Sequence, residues 1–304
     1  MPRKAVQWDV PRGEGNPTKS PLVNQVIKNV KKAEIRKEGA SPKARRELEY
    51  NEYLLLLTLI RKSDHKDRFL ISSLLCLQWQ LIGRVDDLSN VRFDNFHFNM
   101  HQPDALMAQL TWSKNILEER DSPVQIVLPS NDPRMCALLN LVMYMETYSH
   151  RNLAHDEPLF GSNKGKAFFN RYLKSIFQAD AFENIDVSKL GTHSLRKGST
   201  TYASRACAHK DYVDRRGRWR GHKRQVDTYI SMTLPFPDAE ISTILCGPSG
   251  ACRYTAREGV SVPAVELGKE LCPNTLAGLV KIFLLFWCVH LSGRHVSLIQ
   301  KNFH

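Results

Sequence analysis

The sequence predicts a mainly α protein with a small antiparallel β-sheet (α+β). Apolar residues recur at helical spacing in several stretches, such as Leu70, Leu74, Leu77 and Leu81. Strand-like alternation is confined to the middle of the chain, between Phe93 and Leu128. The 304 residues, 42% hydrophobic and 9% aromatic, can bury one or two cores of ordinary globular composition.

The elements follow in order. Residues 1–20 are polar and broken by Pro2, Pro11, Gly13, Gly15 and Pro17, and read as a flexible arm. Ser20 and Pro21 then supply an N-cap and an N1 residue for a helix. Leu22, Val23, Val26, Ile27 and Val30 form its apolar stripe, and Gly39 is its stop. Lys28, Lys31, Lys32, Arg36 and Lys37 lie largely outside that stripe. Residues 1–50 carry twelve Lys/Arg against six Asp/Glu. Lys28, Lys31 and Lys32 fit either a solvated face or contacts to phosphate.

Residues 40–46 read as a linker. Helices are expected from Arg46 to Arg61, with Leu48, Leu55, Leu56 and Leu59 as core, and from Asp67 to Ile82. Gly83-Arg84 ends the second. Phe93–Phe98, Ala105–Lys114 and Val124–Leu128 read as strands, with Lys114 at a hairpin end before a polar turn. Further helices are expected at Pro133–Tyr148 and Phe168–Gln178, separated by a turn at Pro158–Gly161.

The densest chemistry lies from Gly191 to Ile230. His193 and Arg196, three apart, fall on one face of a helix that Thr192 or Ser194 could cap. Trp219, His222 and Tyr229 follow. Residues 191–224 hold ten Lys/Arg against Asp211 and Asp214. Arg215, Arg218, Arg220, Lys223 and Arg224 make a run suited to DNA contacts or to a nuclear-localisation or nonspecific phosphate patch. The whole chain carries +12, with pI about 9.4, which points to a polyanionic partner, nucleic acid first. The seven cysteines are scattered, never as Cys-x-x-Cys, which argues against a disulfide framework or a zinc ribbon.

His193-x-x-Arg196, the later Trp219/His222 beside glycine, and Tyr229 resemble the catalytic domain of the tyrosine recombinases (phage integrases), in particular those of Crypton-type transposons. Two upstream landmarks complete the series. Arg84 follows an apolar helix and precedes Asp87-Leu88, and Lys114 sits on the hairpin. The resemblance implies the tyrosine recombinase catalytic-domain fold over 46–235, behind a remnant of an N-terminal DNA-binding domain at 1–45. Residues 236–304 form a tail, and the resemblance allows a terminal element that docks on a neighbouring protomer.

The resemblance also implies a reaction: DNA cleavage and rejoining, as in integration, through a 3′-phosphotyrosine on Tyr229, without metal, ATP or other cofactor. Arg84 and Arg196 would stabilise the pentacoordinate phosphorus, His193 would take the phenol proton, and Lys114 would protonate the leaving oxygen. The sixth position falls to Trp219 by overall spacing or to His222 by its preceding Gly221. The expected partner is double-stranded DNA, bound by a homo-oligomer, with no membrane role. The Leu276–Leu291 stretch is too short and interrupted for a span. The expected location is the nucleus in a eukaryote and otherwise the cytoplasm. Two other classes fit parts of the pattern: an inactive, domesticated DNA-binding protein, and a phosphatase using the His-x-x-Arg pair.

Overall fold

The computed structural model describes residues 20–38, 45–99, 102–112, 122–148, 157–161, 165–219 and 236–251. The chain divides into two units, residues 1–44 and 45–304.

The first unit holds α1 (Pro21–Glu38). Its start is the expected one: the Ser20 hydroxyl accepts the Val23 N–H at 3.1 Å. The stripe residues Leu22, Val26, Ile27 and Val30 are exposed.

The second unit is built around α3 (Arg68–Gln80). The sequence predicts one inward stripe on this helix, but every residue from Leu70 to Gln80 is buried. Its polar side chains tolerate burial because each named here finds a partner. Ser72 donates to Asn140 at 2.7 Å, Gln78 to the Thr192 carbonyl at 2.9 Å, and Gln80 to Cys246 at 3.3 Å. Around α3 pack α2 (Tyr50–Lys62), α4 (Val85–Ser89), α5 (Ala137–Thr147), α7 (Thr192–Arg205) and α9 (Phe236–Leu245). The intervening α6 (Lys166–Ile176) and α8 (Lys210–Arg216) lean on α7. Trp79 of α3 stacks on Tyr53 of α2, with ring centroids 4.3 Å apart.

Helix α2 starts four residues later than its apolar pattern implies. Residues 46–49 instead run extended along the loop before α7 and its first turn. Arg46 N–H donates to the Lys189 carbonyl and Leu48 N–H to that of Ser194. Tertiary pairing wins over local propensity here. The buried face of α2 is Tyr53, Leu56, Leu57 and Ile60, with Leu55 and Leu59 only partly buried. Helix α5 also begins late, because Met135 and Cys136 turn back onto the Asp132 carbonyl.

The sheet has three antiparallel strands in the order β1 (Phe96–Asn99), β2 (Gln102–Gln109) and β3 (Val124–Val127). β2 ends five residues before Lys114, which lies outside the described residues.

The first residues of the 236–304 stretch form helix α9. Helix α9 packs in its own chain against β3, α7 and α8. Asp238 accepts the Ile126 N–H, and Ser242 accepts that of Leu128 at 3.0 Å. Arg216, wholly buried, pairs with Asp238 at 2.6 Å. The Leu276–Leu291 stretch lies outside the described residues. Among the described residues, no helix is long and apolar enough to cross a membrane, and no group of three or more His, Cys, Asp or Glu could hold a metal.

Candidate active site

Arg84 is placed by the way α3 stops. Ile82 takes a left-handed conformation (φ 46°), and the Gly83 N–H closes back on the Gln78 carbonyl at 3.0 Å. Leu88 packs over Gly83, where a Cβ would lie 2.1 Å from its Cδ2. Arg84 then caps α4, its N–H donating to Asp87 Oδ2 at 3.2 Å. Its guanidinium lies 3.9 Å from the same oxygen.

His193 and Arg196 lie on the first turns of α7. Gly191 is the N-cap of this helix, and Ser194 accepts the Gly191 N–H at 3.1 Å. The Gln78 side chain ties the two approaches together. It donates to the carbonyl of Thr192, before His193, and to that of Gly83, before Arg84, at 2.9 and 3.3 Å.

Arg196 is buried, with Nη1 3.8 Å from Asp87 Oδ2 and Nη2 donating to the Gly217 carbonyl. The Trp219 ring covers its guanidinium at 4.4 Å. Burial, then Arg84 and Arg218, press the Arg196 guanidinium down to about 9, and Asp87 opposes them. Such a crowd of cations is relieved by an anion. His193 is more exposed. Burial, then Lys166, Arg196 and Arg84, lower its imidazole below the usual range against the pull of Asp86. His193, Arg196 and Trp219 line an open cleft of about 440 Å³, with Arg45, Lys197, Thr200 and Thr201 completing its walls.

Of the sequence-predicted site residues, the structure thus brings together Arg84, His193, Arg196 and Trp219. Lys114, His222 and Tyr229 lie outside the described residues, as do Arg220, Lys223 and Arg224. Lys28, Lys31 and Lys32 are exposed on α1, and Arg215 is half-buried on α8. Arg218 departs from the basic surface run in which the sequence puts it. Its side chain is buried and donates to Gln125 and Asp87 at 2.8 and 3.2 Å. Sequence reasoning passed over Gln78, Gln125 and Gly217, whose partners are distant in the chain. Asp87 faces three cations, Arg84, Arg196 and Arg218.

Gly217 has a specific steric duty, since a Cβ there would sit 1.8 Å from Cζ3 of Trp219. Gly217→Ala is therefore expected to push the indole off Arg196. The result would be a red shift in the Trp219 fluorescence, read as the difference from Trp219→Phe. The accompanying loss of stability is about 0.5–1 kcal/mol, the size of an exposed cation–π contact.

No family model matches the chain, and no curated protein matches it. Among solved structures it is similar to an FLP recombinase–Holliday junction complex (TM-score 0.53, 15% identity, covering 92% of this chain and 72% of that one). It is also similar to a Flpe–Holliday junction complex (TM-score 0.54, 15% identity, covering 94% and 74%). At that identity the likeness is one of fold. Mainly helical, with a three-stranded antiparallel sheet, the chain has the tyrosine recombinase fold.

Proposed function

We propose that this chain cleaves and rejoins DNA strands through a 3′-phosphotyrosine intermediate, with Tyr229 as nucleophile. The observation that carries the reading is the convergence of Arg84 and Arg196 on Asp87, at 3.9 and 3.8 Å, beside His193 and under Trp219. Two buried or half-buried guanidiniums on one carboxylate, with Arg196 also lining the cleft, are the donors that a phosphodiester needs where its charge grows. The shared fold with recombinases solved as Holliday junction complexes supports the same reading.

In this reaction the phenol oxygen forms a bond to phosphorus, and the bond to the 5′ oxygen breaks. The phenol proton passes to His193, and Lys114 gives a proton to the leaving oxygen. Rejoining reverses each transfer. The partner is double-stranded DNA, bound by a homo-oligomer, in the nucleus of a eukaryote and otherwise in the cytoplasm. Integration and a Crypton-type origin follow from the sequence resemblance.

His193 serves as a base only when neutral, and its imidazole is lowered from the ordinary 6.5. The cleavage rate is therefore expected to be on its plateau at pH 7 and to fall only below a midpoint under 6.5. Single-turnover cleavage between pH 5 and 8 measures it. A midpoint above 6.5 would contradict the role given to His193.

The reading itself is tested with a pool of nicked duplexes of randomised sequence, scored for protein that stays attached to DNA under denaturing conditions. The adduct is expected with the full chain and absent with Tyr229→Phe. DNA binding with no adduct would replace this reading with that of an inactive DNA-binding protein. Hydrolysis of a small phosphomonoester that survives Tyr229→Phe would replace it with a phosphatase.

A further inference from the structure

Arg218 is a cation held inside the fold. Its side chain is 1% exposed, and its guanidinium is spent on Asp87 and Gln125. Its backbone is left-handed, with φ 54°. A non-glycine residue keeps that conformation only where its surroundings impose it. Three guanidiniums share the one buried carboxylate oxygen Asp87 Oδ2: Arg218 at 3.2 Å, Arg196 at 3.8 Å and Arg84 at 3.9 Å. The nearest of them is the one that faces away from solvent. The group keeps a net charge of +2, and it opens to the cleft through Arg196. Among the described residues, Asp87 Oδ1, Arg196 Nη1 and Arg218 Nε are buried without a hydrogen-bond partner.

An aspartate facing Arg84 and Arg196 alone would orient them and also cancel much of their pull on an anion. We infer that Arg218 is a positioning residue of the phosphate site: it takes up the Asp87 carboxylate, so that Arg84 and Arg196 are held in place by that carboxylate without being neutralised by it. The inference rests on the function proposed above for the identity of the anion as a DNA phosphate. The balance of charge within the cluster does not depend on it.

Inorganic sulfate, titrated calorimetrically into the full chain at constant ionic strength against chloride, probes the cluster without any DNA chemistry. The wild type is expected to bind sulfate, and Arg84→Gln to abolish that binding. Arg218→Gln lowers the local charge to +1 and is expected to weaken sulfate binding by about tenfold or more. The double variant Asp87→Asn/Arg218→Gln returns the charge to +2, with only the Asn amide oxygen left to orient Arg84 and Arg196, and is expected to recover most but not all of the affinity lost in Arg218→Gln.

A purely structural Arg218 would leave the double variant no better than the single one, and that result overturns the inference, as does a wild type that binds no sulfate. Should Arg218→Gln alone fail to fold, Asp87→Asn is compared with the double variant. The double variant is expected to bind about tenfold more weakly, and equal affinities overturn the inference. Failure to trap a covalent DNA adduct would sink the proposed function and leave the sulfate result standing.

Discussion

Replacing Arg196 with alanine is expected to slow formation of the covalent DNA adduct by about 10²–10³-fold, the usual result of removing one preorganised donor from a developing oxyanion. The fold should survive. Arg196 gives up one hydrogen bond to the Gly217 carbonyl and the cover of Trp219, while Asp87 keeps Arg84 and Arg218 as partners. Under the proposed function, DNA affinity should change much less than the rate, because this +12 chain offers the DNA backbone many other cations, whereas Arg196 shares the reacting phosphate with Arg84 alone among the arginines. Single-turnover trapping and a binding isotherm on the same nicked duplex separate the two effects. Loss of binding with an unchanged rate for the bound fraction would contradict the assignment. Arg196→Lys is not expected to rescue fully, because an ammonium cannot reach Asp87, Gly217 and phosphate as a planar fork does.

Gly198→Ala is expected to lower stability by about 2 kcal/mol, within the usual cost of overpacking. On an exposed helix the same change would stabilise by about 1 kcal/mol through helix propensity. Here a Cβ would lie 2.2 Å from the Leu48 carbonyl oxygen and 3.2 Å from Trp79. The first of these is backbone, and Leu48 is also tied to α7 by its own N–H on Ser194. The extended segment before α2 would have to lift off the helix that carries His193 and Arg196. Urea denaturation measures the change as a lower midpoint at constant slope. A gain in stability would show that the close approach relaxes freely.

Much of the site is legible in the sequence because each landmark has a local signature. Arg84 follows an apolar helix, and His193 and Arg196 keep helical spacing, so a linear reading finds them. The ring of Trp219, one of the two candidates for the sixth position, lies over the Arg196 guanidinium. What stays hidden is set by partners far apart in the chain. The arginines between Arg215 and Arg224 read as a charged surface, yet two of them point inward. Arg216 finds Asp238 and the carbonyls of Gln80 and Ile126, and Arg218 finds Asp87 and Gln125. Helix α3 is similar: Gln78 and Gln80 look like a polar face, but the groups that satisfy them come from α7, the turn into α4, and α9. The onset of α2 is displaced for the same reason, since only the fold reveals that residues 46–49 pair with the approach to α7 and its first turn.

The side chains of α9 that fill the outer rim of β3 also bear on self-association. Asp238 and Ser242 already occupy the amides of Ile126 and Leu128. A second subunit cannot prolong the sheet there by strand addition unless it first evicts a helix of its neighbour. A higher-order assembly that keeps α9 in place therefore leaves that rim closed and meets through other surfaces.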